Sequence, residues 1–140
     1  MSINLHDQLN ADCHKLGYIN SSLVLLHKNS LVPWFILIPD TTENELFKLA
    51  ETQQLAVNKQ INELSQFVEK HFHADKLNIA TIGNIVPQLH VHIIGRFFDD
   101  CFWPNPVWGQ PMTRQYTEQE IQAIKEALFK QQIIHDKQFV

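Results

Sequence analysis

The sequence predicts an α+β fold in which helices pack on an antiparallel sheet of about five strands. Short segments rich in Val, Ile, Leu and aromatic residues occur in two pairs, and a turn-like stretch separates the members of each pair. Segments with helical spacing lie before, between and after these pairs, unlike the strict strand–helix alternation of a parallel sheet. A length of 140 residues suits one hydrophobic core, so residues 1–140 are expected to form a single domain.

The first part of the chain is predicted to form a helix followed by a hairpin. Leucines recur among polar residues over 5–16, and Gly17 follows as a residue type that ends helices. Residues 22–27 and 34–39 are rich in strand-forming residues and are separated by the turn-like stretch 28–30. These two strands are expected to pair with each other.

The middle of the chain is predicted to form a long or broken helix and a second strand pair. Residues 42–45 have the Thr-x-x-Glu form of a capping box, and apolar residues then repeat at helical spacing to about His71. Residues 77–82 and 88–95 are predicted as strands, because the glycine and proline of 83–87 interrupt the pattern between them.

The last third of the chain is predicted to form an ordered loop and a closing helix. Residues 97–112 are rich in proline and tryptophan and lack periodicity, which indicates an aromatic loop over the sheet whose tip approaches a ligand. Residues 117–120 form a second capping box, and Tyr116 and Ile121 are spaced as a hydrophobic staple.

Composition and charge exclude several classes of protein. A formal net charge of −4 with scattered Lys and Arg argues against a nucleic-acid partner held by many phosphate contacts. Cys13 and Cys101 lack metal-binding or redox spacing and are expected to be reduced thiols. Residues 1–7 lack the features of a secretory signal and no apolar run could cross a bilayer, so we expect a cytoplasmic protein without membrane contact.

The most informative segment is Gln-Leu-His-Val-His-Ile-Ile at residues 88–94. The period of two along a strand sends Gln88, His90 and His92 to one face and the intervening apolar residues to the core. A neutral imidazole can attack phosphorus, and a neighbouring imidazole can carry a proton to a phosphate oxygen or a departing group. His90 and His92 therefore indicate nucleophilic and proton-transfer chemistry.

Two other interpretations of this histidine pair remain open. Paired histidines can line a sheet surface without chemistry, or they can bind a metal ion. A metal site needs a third ligand, and the nearest candidates along the chain are Asp99 and Asp100. The positive charge of Arg96 beside them counts against a bound cation.

This segment resembles the signature of the histidine triad nucleotide hydrolases and transferases, His-φ-His-φ-His-φ-φ, in which φ is apolar. The flanking residues Val86-Pro87 and Gly95-Arg96 are similar to family sequences, as is Val32-Pro33 before an earlier strand. The resemblance covers roughly residues 23–108. It implies a homodimer that acts on a small-molecule purine nucleotide.

The resemblance also implies a mechanism without metal or other cofactor. His90 would attack the α-phosphorus to give a nucleotidyl-histidine, which water then hydrolyses. His92 would bond the phosphate or the leaving group, and Asn84 matches an amide position that contacts phosphate. Gln88, at the first triad position, completes the expected catalytic set.

The resemblance implies that the first predicted strand binds the nucleoside. Leu25, His27 and Asn29 would share a face of that strand if it stays extended. In the family this region supplies an apolar wall for the base and an Asp or Asn for the ribose. Asn29 is the expected ribose ligand, with His27 as the competing assignment.

The sequence departs from the family at three places. Gln88 replaces the first histidine, Pro33-Trp34-Phe35 replaces the usual Pro-Gly-His, and Ile85 replaces a Ser or Thr hydroxyl. If the two lost histidines normally touch, Gln88 and Phe35 would be neighbours in a coordinated repacking. These changes leave a second function open, a nucleotide-binding module with impaired catalysis.

Overall fold

A computed structural model describes residues 3–135 and confirms the predicted α+β class. Across these residues there are five strands and three α-helices, with one short 3-10 helix at Leu46–Lys48. In chain order the elements are α1 (Asp7–Asp12), β1 (Cys13–Ile19), β2 (Ser22–His27), β3 (Trp34–Ile38), α2 (Glu51–Phe72), β4 (Lys76–Ala80), β5 (Val91–Arg96) and α3 (Glu118–Lys130). All neighbouring strands are antiparallel, in the order β1-β2-β3-β5-β4.

One face of the sheet is covered by the two longer helices. Phe35 and Leu37 of β3 are fully buried on this face, in a cluster that also holds Phe67 of α2 and Leu128 of α3. The Phe35 ring packs edge-on against Phe67 with centroids 6.1 Å apart. This face is the larger apolar core.

The opposite face is covered by irregular segments instead of long helices. Leu25 of β2 and Ile36 of β3 are buried here with Leu9 from α1 and with Phe102 and Val107 from the loop after β5. Because β2 and β3 are buried on both faces, their sequences are continuous apolar runs. The candidate site lies on this second face.

The prediction of a helix over residues 5–16 is wrong in its second half. The helix ends at Asp12, and Cys13–Ile19 forms the edge strand that pairs with β2. Gly17 lies at a bulge in this pairing and does not end a helix. Sheet pairing therefore outweighs the helical spacing of the leucines, since Leu16 reaches the core from the strand.

The predicted capping box at residues 42–45 is also wrong. The long helix begins at Glu51 after Ala50, and the preceding segment forms only an isolated 3-10 turn. The Gln54 side chain donates a hydrogen bond to Leu49 O (2.8 Å), and Leu49 is buried in the core. The buried leucine fixes the chain just before the helix, so the helix begins later than the capping pattern suggests.

The aromatic loop and the last helix agree with the sequence prediction. Thr117 and Glu120 form both hydrogen bonds of a capping box at the start of α3. The loop is anchored by a buried ion pair, in which Arg96 Nε lies 2.9 Å from Asp100 Oδ2. Within residues 3–135 there is no helix with the length and apolarity needed to cross a membrane.

Candidate active site

A cleft of about 560 Å³ opens on the sheet face that the long helices leave free. Its walls come from α1 and the start of β1, from the inner strands, from the loop before β5, and from the aromatic loop. The lining residues are Gln8, Leu9, Asp12, Cys13, His27, Trp34, Ile36, residues 82–86, His90, His92 and Trp108. The structure thus brings both predicted histidines into one cavity.

His90 lies just before β5, because the strand begins at Val91 and not at Gln88 as the sequence pattern predicts. Its ring is buried, and its Nδ1 lies 2.6 Å from the main-chain oxygen of Gln88. A carbonyl oxygen can only accept a hydrogen bond, so Nδ1 must carry the hydrogen. When the ring is neutral, the other nitrogen, Nε2, then holds the lone pair, which is the form of a nucleophile.

His92 has the opposite arrangement. The indole Nε1 of Trp34 donates a hydrogen bond to His92 Nδ1 at 3.0 Å. Since an indole nitrogen only donates, Nδ1 must be unprotonated and Nε2 carries the hydrogen. Burial, helped by the nearby rings of His90 and His27, lowers the pKa of His92 to about 3. His92 is thus a neutral hydrogen-bond donor at Nε2.

The two rings lie close enough to act on one substrate. Their centroids are 4.9 Å apart and their planes are inclined by 69°. One ring presents a lone pair for attack and the other presents an N–H for a phosphate oxygen or a departing group. A single phosphate group in the cleft could therefore contact the lone pair of one ring and the N–H of the other.

His27 forms a third imidazole of the cleft, on β2. Its ring stacks on Trp34 with centroids 3.9 Å apart and planes within 8°. Its Nδ1 accepts a hydrogen bond from Asn29 N at 3.1 Å, and burial lowers its pKa. Trp108 closes the cluster, with its ring edge-on to Trp34 and to His92.

Gln88 is placed differently from the two histidines. Its Oε1 accepts a hydrogen bond from His6 N at 2.8 Å, and its Nε2 donates to Asn4 O at 3.2 Å. The side chain therefore pairs with the N-terminal segment, while its main-chain oxygen orients His90. Phe35 packs on the other sheet face with α2, so the expected contact between Gln88 and Phe35 is wrong.

The remaining predicted residues have separate locations. Asn84 and Ile85 form part of the cleft wall, and Ile85 is 88% exposed. Leu25 is fully buried in the core of this sheet face. The amide of Asn29 donates to Met112 O and accepts from Leu31 N and Arg114 N, so it fastens the loop before α3.

Sequence reasoning missed Trp34 and the contribution of residues 8–13. The antiparallel register pairs His92 with Ile36, and the period of two places Trp34 on the face of Ile36. Such pairing could have indicated Trp34, although register is not readable from one strand alone. The leucine spacing predicted a helix in the N-terminal segment but gave no indication that this helix lines the cleft.

A metal site has little support in the described part of the chain. Residues 3–135 contain no group of three His, Cys, Asp or Glu side chains able to hold a metal ion. Asp100 binds Arg96 with both carboxylate oxygens, and His92 Nδ1 is occupied by Trp34. His90 and His92, the two ligands of the metal hypothesis, thus lack a third ligand.

The antiparallel sheet presents two neighbouring imidazoles over an apolar cleft, at the start of β5, which is the fourth strand in spatial order. This combination defines the class of histidine triad proteins. The HIT domain family model matches residues 8–99, and the chain belongs to this family. Family membership supports a nucleotide-binding hydrolase or transferase in general terms.

Three solved structures of histidine triad proteins are similar over nearly the whole chain. The protein from Bradyrhizobium japonicum is 38% identical with a TM-score of 0.86, covering 91% of this chain and 96% of its own. The protein from Marinobacter aquaeolei VT8 is 38% identical with a TM-score of 0.87, covering 96% and 97%. The protein from Sinorhizobium meliloti 1021 is 31% identical with a TM-score of 0.87, covering 92% and 96%. No curated protein matches the chain.

Proposed function

We propose that this protein cleaves phosphoesters or phosphoramidates of a purine nucleotide through a nucleotidyl-histidine on His90. The observation that carries this proposal is the hydrogen bond from His90 Nδ1 to Gln88 O, 2.6 Å long. It leaves the lone pair at Nε2 of a ring that lines the cleft. Water or a second acceptor would receive the nucleotidyl group, giving a hydrolase or a transferase.

The reaction has two displacements at phosphorus. His90 Nε2 bonds to the α-phosphorus while the bond from phosphorus to the leaving group breaks, and the leaving group takes the electron pair. The phosphorylated ring is then cationic and keeps its hydrogen on Nδ1, where Gln88 O stabilises the charge. Water attacks phosphorus, the P–N bond breaks, and one proton of the water is released.

The other residues would hold the nucleotide for this attack. His92 donates its Nε2 hydrogen to a phosphate oxygen or to the departing atom, and Asn84 contacts the phosphate from the cleft wall. His27 lies in the cleft and suits a ribose hydroxyl, while Asn29 would need to release its loop contacts to do so. Leu25 is fully buried in the core beneath this sheet face and would support the apolar wall from behind.

Mass spectrometry of the intact protein tests the proposal. The native chain, His90→Ala and His71→Ala are mixed with adenosine phosphoramidate and with diadenosine polyphosphates. His71 is the matched control, because its ring stacks on Phe67 at the end of α2 and lies outside the cleft. We expect a nucleotide adduct or AMP release with the native chain and His71→Ala, and neither with His90→Ala.

The second candidate is a binding module without turnover. It is favoured by the engagement of the Gln88 side chain with His6 and Asn4, which removes that side chain from the chemistry. Calorimetry would then detect nucleotide binding while the native chain gives neither adduct nor AMP. Absence of nucleotide binding would contradict both candidates.

We also propose a cytoplasmic homodimer. β4 is an edge strand, and Ile79 on this strand is 48% exposed. Leu55 on α2 is exposed as well, so an apolar edge and helix are available to a second copy. The free thiols of Cys13 and Cys101 suit a reducing compartment. Light scattering after size exclusion tests the dimer, and the mass of a single chain would contradict it.

A further inference from the structure

The hydrogen bond between Trp34 and His92 limits what His92 can do. A protonated His92 would carry hydrogen on both ring nitrogens, and its Nδ1–H would then face the Nε1–H of Trp34 across 3.0 Å. The indole cannot turn away easily, because His27 stacks flat on one side and Trp108 packs edge-on. The geometry therefore favours the neutral ring.

The surroundings of His92 supply little that would reverse this preference. Its neighbours are the His90 ring, the His27 ring, whose Nδ1 also accepts a hydrogen bond, and the edge of Trp108. The described residues that line the cleft include one carboxylate, Asp12 on α1, and no Lys or Arg. Burial raises the pKa of the Cys13 thiol to about 12, so this thiol also holds its proton at neutral pH.

The Gln88 side chain cannot act in place of His92 as the acid that protonates a leaving group. An amide N–H is far too weakly acidic to protonate a leaving group at neutral pH, and this amide is already bonded to His6 N and Asn4 O. Within the part of the chain that the structure describes, the cleft residues other than the nucleophile His90 thus offer N–H donors but no cationic acid. A departing group would be hydrogen-bonded without receiving a full proton.

Resting on the proposed function, we propose that Trp34 is a positioning residue that holds His92 as a neutral hydrogen-bond donor. The site consequently prefers nucleotides whose leaving group departs as a stable anion, such as a phenolate, a phosphate or a carboxylate. Nucleotides joined to an alkylamine are poor substrates, so of the two bond types in the proposed function the ester bond is cleaved faster than the phosphoramidate bond.

The chemistry of the first displacement explains this preference. With a phenyl ester, the P–O bond breaks as His90 Nε2 bonds to phosphorus, and the phenolate leaves with the electron pair and no added proton. With an alkylamide, the leaving nitrogen must gain a proton, since an alkylamide anion is far too basic to depart. A cationic imidazole could supply that proton, but a neutral one bonded to Trp34 does not.

A substrate series tests this specificity. We would measure kcat/KM for the 4-nitrophenyl ester, the phenyl ester and the butylamide of AMP. We expect the nitrophenyl ester to exceed the butylamide by at least about 100-fold, the low end of what a general acid contributes. Similar rates for ester and amide would overturn the inference. If no substrate gives turnover that depends on His90, it is the proposed function that has failed.

The variant Trp34→Phe separates positioning from packing. It keeps an aromatic ring against His27 but removes the N–H that holds His92 Nδ1. We expect the ester-to-amide ratio to fall by roughly tenfold at acid pH, because the indole N–H no longer opposes a hydrogen on His92 Nδ1 while burial still lowers the His92 pKa. A purely structural role would lower both rates by the same factor. Trp103→Phe is the control, because Trp103 packs on Arg96 and does not line the cleft.

Nitrogen NMR of the native protein tests the inference even if Trp34→Phe fails to fold. We expect His92 Nδ1 to show the shift of an unprotonated nitrogen, and Nε2 that of a protonated one, from about pH 8 to about pH 5. Titration of His92 within this range, or hydrogen on Nδ1, would overturn the inference.

Discussion

At the scale of single residues, two identical side chains acquire different roles from the atom that meets their Nδ1. The main-chain oxygen of Gln88 makes His90 a donor at Nδ1, whereas the indole of Trp34 makes His92 an acceptor there. One ring therefore presents a lone pair and the other an N–H, although the rings lie on the same short segment. Chemical asymmetry in this site comes from partners outside the histidines themselves.

His92 should make the stability of the protein depend on pH. The pKa of His92 is about 3 in the folded chain and 6.5 ordinarily. Between these two pH values the unfolded chain binds a proton at His92 that the folded chain does not bind. The contribution of His92 is therefore complete above pH 6.5 and is lost as the pH falls toward 3. Lowering the pH from 7 to 5 should cost about 2 kcal/mol of the free energy of unfolding from this residue.

Urea unfolding of the native chain and of His92→Gln at both pH values measures this contribution. Glutamine stays neutral and can still accept from Trp34, so the variant should lose about 2 kcal/mol less stability between the two pH values. The comparison also removes the effect of His27, a residue that both proteins keep and whose pKa burial lowers in the native chain. An equal loss in both proteins would contradict the expected role of His92.

At the scale of elements, the first triad position connects the N-terminal segment to the site. The Gln88 amide accepts from one main-chain group and donates to another two residues away, as a neighbouring strand would. The segment continues directly into α1, whose Gln8 and Asp12 line the cleft. The Gln88 side chain, which the family resemblance alone assigned to the catalytic set, thus determines the position of one wall of the cleft.

We expect Gln88→Ala to loosen that wall without removing the nucleophile. Two hydrogen bonds are lost, which should lower the free energy of unfolding by about 1 kcal/mol. KM should rise while kcat stays within about a factor of three, because His90 keeps the main-chain oxygen of residue 88. Hydrogen exchange at the His6 amide should accelerate, since that amide loses its acceptor.

Gln122→Ala is the matched control for this variant. Gln122 bonds only an exposed carboxylate within α3, far along the chain from the cleft residues. It should leave KM and the exchange of the His6 amide unchanged. A fall in kcat of more than about 100-fold for Gln88→Ala would instead assign the Gln88 side chain to the chemistry.

At the scale of the whole molecule, one buried ion pair joins the sheet to the loop that covers its second face. Arg96 ends β5 and bonds Asn78 of β4 as well as both oxygens of Asp100. Although burial alone would raise it, the hydrogen bonds from Arg96, Phe97 and Phe102 hold the pKa of Asp100 below its ordinary value. The loop that brings Trp108 to the cleft thus starts from a charged anchor.

Asp100→Asn should destabilise the whole domain. It leaves the buried Arg96 guanidinium without its counter-charge, which typically costs about 3–5 kcal/mol. Asp99→Asn is a control on the adjacent residue, because Asp99 is exposed, and it should change the free energy of unfolding by less than about 0.5 kcal/mol. Similar urea midpoints for the two variants would contradict the anchoring role.

The sequence predicted the α+β class and the two histidines because both follow from local patterns. Alternation along residues 88–94 was enough to place His90 and His92 together, although β5 begins only at Val91. The capping box at Thr117 lies within one turn of chain. The role of Trp34 depends on the register between β3 and β5, which no single strand encodes. The same limit explains the error over Cys13–Ile19, whose structure is set by pairing with β2.

The stacked position of Trp34 also gives the protein a built-in optical signal. The chain has three tryptophans, and two of them, Trp34 and Trp108, line the cleft beside imidazole rings. The indole of Trp34 both stacks on His27 and bonds His92, so its ultraviolet emission should respond when a bound molecule alters either neighbour. Cleft occupancy could then be followed by intrinsic fluorescence, without a label.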